Sequence, residues 1–445
     1  MKNPNIAAIS TPPGKGGVAI IRISGGDPLS IAEKMFVPAG KTAVAAFSPN
    51  HMYPGEIDAG DFKDYGLCVY FRAPKSFTGE DVVEFHCHGG SSIARGVLRR
   101  AFELGAAGAQ RGEFTKRAFL NGKLSLSSAE GLVDMINGES EAEVRAGYML
   151  YCERLKKVAD GLQASLTEIL AGIDADVDFP EEDLEHTDLA DVKTKIGAIR
   201  DKLIELRGTY SVGQKIRQGV NVVIAGRPNT GKSSLLNALL GADKAIVSSV
   251  AGTTRDAVEG ALEIGGVRFN LYDTAGQRES ENEIENIGIE RARQLTEGAD
   301  LVLFVLDAGE EFSEEDRSIA EKIENKNKIV VYNKSDLSDA RGMRADIRVS
   351  AKTGENIQTL KQMMLEKSLQ GYSADAEYLI EQRHYFALGK ALEGVEAAYR
   401  ACGNAPLDLL GIDLKAAWDA LGEISGMTAN EAIIDEIFAK FCVGK

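Results

Sequence analysis

One run of eight residues constrains this chain more than any other: Gly226-Arg227-Pro228-Asn229-Thr230-Gly231-Lys232-Ser233, a complete G-x-x-x-x-G-K-[ST] loop. It lies between an apolar stretch, Val220 to Ala225, and a helix-like one, Ser234 to Leu240. Such a loop works where a strand hands over to a helix N-terminus, because there the backbone N–H groups converge on phosphate oxygens. The surrounding region is therefore expected to alternate strand and helix around a mostly parallel, doubly wound sheet. In this role Lys232 reaches the β- and γ-phosphates and Ser233 offers its hydroxyl to Mg²⁺. Asn229, Thr230, Gly231 and Ser234 line the same cradle.

Three further elements follow in the order a guanine site requires. Asp273-Thr274-Ala275-Gly276 ends the strand Arg268 to Tyr272, where a carboxylate can hold Mg²⁺ through water and the Gly276 amide can meet the γ-phosphate. Asn333-Lys334-Ser335-Asp336 ends the apolar strand Ile329 to Tyr332. The Asp336 carboxylate can accept from guanine N1–H and its exocyclic amine, which adenine cannot supply. Ser350-Ala351-Lys352 adds backbone N–H for guanine O6. Between the first two elements lies Ala251-Gly252-Thr253-Thr254-Arg255-Asp256, whose Thr254 hydroxyl is expected on Mg²⁺ in a γ-phosphate-dependent way. The four elements together point to GTP as the substrate and to hydrolysis.

The 445 residues are ample for several cores. No stretch reaches the ~20 consecutive apolar residues of a membrane span, and Met1 to Thr11 lacks the regions of a signal peptide. No membrane role and a cytoplasmic location are expected. The five cysteines, Cys68, Cys87, Cys152, Cys402 and Cys442, show no C-x-x-C spacing, so neither a disulfide framework nor a four-thiolate zinc site is suggested. A net charge of -16 disfavours broad wrapping of nucleic acid by this chain alone. Acidic residues crowd into Asp174 to Asp191 and Glu310 to Asp316, read as solvated faces and loops.

Residues 1–120 read as a mixed α/β domain, with short apolar runs at Val18 to Ile23, Leu67 to Phe71 and Val82 to Cys87. Residues 121–216 turn helical: Ala129, Leu132, Val133 and Ile136 share one face, as do Leu155, Val158, Leu162, Leu166 and Leu170. Pro180 marks a corner or a fresh helix start there. The nucleotide domain spans 217–371, with Gly265-Gly266 as a hairpin turn that supplies one antiparallel edge. Helical spacing returns over 372–445. The expected fold is multidomain: a mixed α/β domain, then a helical domain interrupted by an inserted Ras-like doubly wound domain.

Beyond the nucleotide loops, several segments carry a specific resemblance. They are Thr11-Pro12-Pro13-Gly14 with Gly16-Gly17, Arg22-Ile23-Ser24, Phe77-Thr78-Gly79-Glu80-Asp81, His88-Gly89-Gly90, Gly112-Glu113-Phe114-Thr115, Arg117-Ala118-Phe119-Leu120-Asn121 and the terminal Phe441-Cys442-Val443-Gly444-Lys445. With these the chain resembles the tRNA-modification GTPase family MnmE, also called TrmE, over essentially its full length. The resemblance implies a homodimer formed through the N-terminal domain, and a flavoprotein partner, MnmG, in a hetero-oligomer that holds tRNA largely through that partner. The pair would install an aminomethyl or carboxymethylaminomethyl group at carbon 5 of the wobble uridine. A tetrahydrofolate derivative, 5-formyl or 5,10-methylene, is implied as one-carbon donor, with contacts carried over onto Arg22, Glu80, Lys123 and Lys445.

The resemblance also implies K⁺ in place of an arginine finger. Asn229 would give its side-chain oxygen, and Ser248, Ser249, Val250, Ala251, Gly252 and Thr253 form the loop that would give others. It places the water-orienting glutamate at Glu285. Gln277, directly after Gly276, departs from the apolar residue usual in the family and is a second candidate for that role. Cys442 lies near the implied folate pocket without close basic neighbours beyond Lys440 and Lys445, so covalent catalysis is not expected of it. His86-Cys87-His88 puts two histidines on one strand face with no third ligand nearby in sequence. The alternative function is an RNA-binding regulatory or ribosome-assembly GTPase; the region after Gln370 lacks the basic appendage it would need.

Overall fold

Alternation along Val18–Gly25 decides the first sheet: Ile21 and Ile23 are buried in one core, and Arg22 and Ser24, alternating with them, take the opposite face. The structure, a computed structural model, describes residues 3–178, 188–241, 260–273, 297–337, 344–373, 376, 378–428 and 430–445. The chain divides into two units, one of Met1–Asp134, Gly147–Ile199 and Glu393–Lys445 and one of Met135–Ala146 and Arg200–Leu392.

In the first unit, strands β1 (Ile6–Ile9), β2 (Val18–Gly25), β3 (Phe36–Pro38), β4 (Met52–Asp58), β5 (Lys63–Phe71), β6 (Asp81–His88) and β7 (Ala107–Gly108) form a sheet ordered β3-β4-β5-β6-β2-β1-β7. Only the β1/β7 pair is parallel. Helices α1 (Leu29–Met35) and α2 (Ser91–Glu103) cover one face through Met35, Ala94, Val97 and Ala101. The helix α3 (Glu113–Leu120) brings Phe114 onto Ile6 and Ala8.

The last residues of the chain belong to this unit too. Ile437, Phe438 and Phe441 pack with Leu126, Ala129 and Val133. Beyond them, Val443 bridges to Arg111, and Ser10 Oγ donates to Gly444 O at 3.1 Å. A Cβ on Gly444 would lie 2.2 Å from Ile9 O, and its φ is +98, so only glycine allows this approach. The expected helical spacing is realised in Leu126–Asn137 and Arg154–Asp178. The second of these meets Leu407–Ser425, where Gln163 Nε2 donates to Trp418 O (2.9 Å) and Trp418 Nε1 to Thr167 Oγ1 (3.0 Å).

In the second unit, β8 (Val220–Ala225), β9 (Gly260–Ile264), β10 (Val267–Asp273), β11 (Leu301–Asp307), β12 (Lys328–Asn333) and β13 (Ile347–Arg348) form a sheet ordered β13-β12-β11-β8-β10-β9. It is parallel except where β9 meets β10 across the two-residue turn Gly265-Gly266. Strands buried on both faces read as continuous apolar runs, and every residue of β11 is buried. The helical stretch before the sheet adds Ala142, whose N–H donates to Gly266 O at 2.8 Å, and Glu139, which pairs with Arg268.

The architecture is thus a mixed α/β N-terminal domain and a helical domain interrupted by a doubly wound domain. Pro180 lies outside the described residues, and among those described no helix is long and apolar enough to cross a membrane.

Candidate functional site

The phosphate loop occupies the crossover from β8 to the helix Lys232–Gly241, turning at Asn229 (φ +64) and Gly231 (φ +89). Thr230, 1% exposed, donates Oγ1 to Arg227 O at 3.1 Å. Lys232 lies inside the loop, its Nζ 2.8 Å from both Gly226 O and Arg227 O. Ser233 Oγ donates to Asp273 Oδ2 at 2.9 Å. The hydroxyl and the carboxylate expected at Mg²⁺ are therefore adjacent, although one comes from the helix after β8 and the other from the end of β10. Parallel pairing of β8 with both β10 and β11 causes this, since the loops leaving parallel strands gather at one sheet edge.

The base-reading loops reach the same edge. Asn333 is 2% exposed; its Nδ2 donates to Thr230 O (3.0 Å) and its Oδ1 accepts from Ala351 N (3.1 Å). Lys334 Nζ donates to Asn229 O at 2.9 Å. Ser350 Oγ donates to Asp336 Oδ1 at 2.7 Å, and Ser335 Oγ to Glu355 Oε2 at 3.0 Å. Lys352 follows directly. Ser248, Ser249, Val250, Ala251, Gly252, Thr253, Thr254, Thr274, Ala275, Gly276, Gln277 and Glu285 lie outside the described residues.

Two features of this edge escaped the sequence reading. Arg227 pairs with Glu310 and, at 3.1 Å, with Asp316. Asp316 is 1% exposed and caps the helix Glu314–Lys322 in a reciprocal box with Ser313, so it is not part of a solvated face. Asp307 accepts from Lys334 Nζ at 2.6 Å. Neither aspartate belongs to a motif. Only proximity in the fold gives them meaning.

A second polar cluster occupies the face of the N-terminal sheet opposite its main core. Arg22 Nε donates to Glu84 Oε1 at 2.7 Å, and its guanidinium lies 5.6 Å from the Phe77 ring and 5.7 Å from the Phe114 ring. Burial works against the Glu84 charge, yet the hydrogen bond from His86 and the Arg22 charge hold its carboxyl below the ordinary range. Glu80 accepts from Asn3 (2.7 Å), Ser24 (2.8 Å) and Arg117 (3.0 Å). Lys123 Nζ donates to Pro74 O at 3.1 Å. Arg22, Glu80 and Lys123 thus gather around Phe77–Glu80. Lys445 comes directly after Gly444 at the end of β1, and its side chain makes no hydrogen bond or ion pair among the described residues.

Glu84 and Arg117 are buried polar groups of this cluster; Glu84 was not singled out from the sequence, and Arg117 was noted only within a family-like segment, without a role. His86 turns to Glu84 and His88 to Asp64. Cys87 points into the core, where burial pushes its thiol up to about 11. Among the described residues no three His, Cys, Asp or Glu converge on a common metal position, and Cys442 is exposed.

Comparison with known proteins gives the following. Residues 126–442 match the family model described as MnmE helical domain, and residues 5–123 match the one described as GTP-binding protein TrmE N-terminus. Curated proteins named tRNA modification GTPase MnmE align end to end. That of Natranaerobius thermophilus is 38% identical and that of Acetivibrio thermocellus 39%, each over 100% of both chains. The protein of Syntrophomonas wolfei is 40% identical over 99% of both.

Base selectivity is expected to reside in Asp336, whose two acceptor oxygens match guanine's paired donors. Asp336→Asn should weaken GTP binding and improve xanthosine triphosphate binding, since hydrogen bonds to a charged group contribute ~1.5–3 kcal/mol each. Competition binding of the two nucleotides checks this; unchanged selectivity removes Asp336 from the base site.

Proposed function

The chain belongs to the MnmE family of tRNA modification GTPases, and from that premise we propose a K⁺-stimulated GTPase that acts with a flavoprotein of the MnmG kind. The pair adds an aminomethyl or carboxymethylaminomethyl group to carbon 5 of the wobble uridine of certain tRNAs. The observation that carries this reading is the docking of the chain's last residues on the N-terminal sheet, at the end of β1, the strand paired with the β2 segment that carries Arg22. A GTPase acting as a switch alone needs no such closure.

The residues present fit the implied ions and donor. Ser233 and Asp273 form an oxygen-only pair suited to Mg²⁺, which when bound neutralises charge on the β- and γ-phosphate oxygens. Asn229 suits K⁺: its main-chain oxygen is taken by Lys334, which leaves the side-chain oxygen as donor. Ser248, Val250 and Thr253 would complete that set. Thr254 would order its loop in the triphosphate state, Lys232 would hold the γ-phosphate, and Glu285, in preference to Gln277, would orient the attacking water. Charge placed where the transition state develops it is a form of preorganisation.

For a tetrahydrofolate derivative, Arg22, Lys123 and Lys445 supply cations for the glutamyl carboxylate, and Glu80 accepts from the pterin edge. The exposed Asn3 contact to Glu80 is the one a pterin donor would replace. The domains then read as 1–120 for folate binding and homodimer formation, 121–216 with 372–445 as helical scaffold, and 217–371 as the GTP domain. A cytoplasmic location follows from a tRNA substrate.

Two measurements test this function. Turnover of GTP should fall at least ~10²-fold when KCl is replaced by NaCl, a fraction of the ~10³–10⁵ that an arginine finger contributes in comparable enzymes. A rate indifferent to the ion contradicts the K⁺ mechanism. Mass analysis of tRNA nucleosides from cells lacking the protein should show loss of the carbon 5 modification; an unaltered nucleoside profile contradicts the modification itself.

A further inference from the structure

The phosphate loop and the base-reading loop each contain a non-glycine residue in the left-handed region, Asn229 at φ +64 and Lys334 at φ +63. Such backbone is costly and persists where its surroundings over-determine it. Here the two positions are joined directly, because Lys334 Nζ donates to Asn229 O at 2.9 Å. What holds Lys334 in place is a carboxylate outside both loops.

Asp307 is the last residue of β11 and stands opposite Asn333 in the parallel register. Its Oδ2 accepts from Lys334 Nζ at 2.6 Å, and its Oδ1 accepts from Gly309 N at 2.9 Å. At 8% exposure it is a buried charge whose Lys334 partner lies within direct contact. The turn it fixes leads to Glu310 and Asp316, which pair with Arg227, two residues before Asn229 in the phosphate loop. The segment from Asp307 to Asp316 thus holds the first half of that loop at two points without belonging to any nucleotide motif.

We propose that Asp307 is a positioning residue for guanine nucleotide, acting through Lys334 to lock the phosphate loop and the base-reading loop into one rigid site. The inference rests on the guanine site described above and extends it to a residue that touches neither base nor phosphate. Its consequence is kinetic. Nucleotide release requires the two loops to part, and the Asp307–Lys334–Asn229 connection opposes that parting.

The test uses the full chain and a fluorescent GDP analogue, with release followed by stopped flow. Asp307→Ala should raise the release rate roughly 10-fold, as expected when a charge-assisted hydrogen bond is lost. Asp307→Asn, which keeps a neutral acceptor, should fall between it and the wild type. Lys334→Ala should raise the rate further, and adding Asp307→Asn to it should change nothing more, because Asn keeps an acceptor for Gly309 N and the lost charge acts through that lysine. Preference for GTP over xanthosine triphosphate should stay constant throughout, which separates positioning from loss of base contact.

Additive effects of Asp307→Asn and Lys334→Ala overturn the proposal, as does an unchanged release rate in Asp307→Asn with an unchanged melting temperature. Should Asp307→Ala fail to fold, the Asn variant carries the test alone. A wild-type chain that does not bind the analogue overturns the guanine site itself, and the positioning role with it.

Discussion

The rest of the architecture depends on the seating of Gly444 against the end of β1. Its carbonyl accepts from Ser10 and its missing Cβ lets the chain pass over Ile9 O. Because the last residues belong to the same unit as the first strand, whatever lies between them in sequence must leave that unit and return to it. This makes the doubly wound domain an insertion, where a terminal domain would have been the other possibility. The anchoring is apolar, through Phe438 and Phe441 against Leu126, Ala129 and Val133, with polar contacts from Lys116 to Asp435 and at the tip. Burial supplies the energy, and the close approaches of Gly112 to Phe438 O and of Gly444 to Ile9 O supply the register.

Within the insertion, one buried side chain unifies three loops. The Asn333 amide uses both ends, donating to the phosphate loop at Thr230 and accepting from Ala351. At 2% exposure it has little access to water, so losing either partner would strand a buried polar group. Lys334 and Asp307 repeat the logic with charge. The phosphate loop and the loop from Asn333 to Asp336 are therefore not separate features that happen to adjoin; the same hydrogen bonds shape both.

Motif spacing made the nucleotide edge legible at the level of loops. Val220–Ala225, Lys328–Asn333 and the Gly265-Gly266 turn appear where apolar runs and glycines put them. A motif records residues that meet ligand, however, and says nothing of what supports them. Asp307 and Asp316 were invisible for that reason, and acidic crowding made Asp316 look like surface when it is a cap buried against Arg227. The N-terminal cluster shows a related limit. Arg22 and Glu80 were legible through family likeness, whereas Glu84 and Arg117, which hold them, needed the β2/β6 register and the placement of Glu113–Leu120. Strand alternation predicts which face a residue takes, but not which residue of another element it will meet there.

We propose that the docked residues Phe441–Lys445 complete a folate site on the N-terminal sheet. That proposal is tested most directly by measuring two affinities, for 5-formyltetrahydrofolate and for GTP, on the intact chain and on one lacking Phe441–Lys445. The account predicts that folate binding weakens by at least ~10-fold, as loss of a cation–carboxylate contact and its supporting segment implies, while GTP affinity stays near that of the intact chain. Equal folate affinity in the two proteins would contradict it.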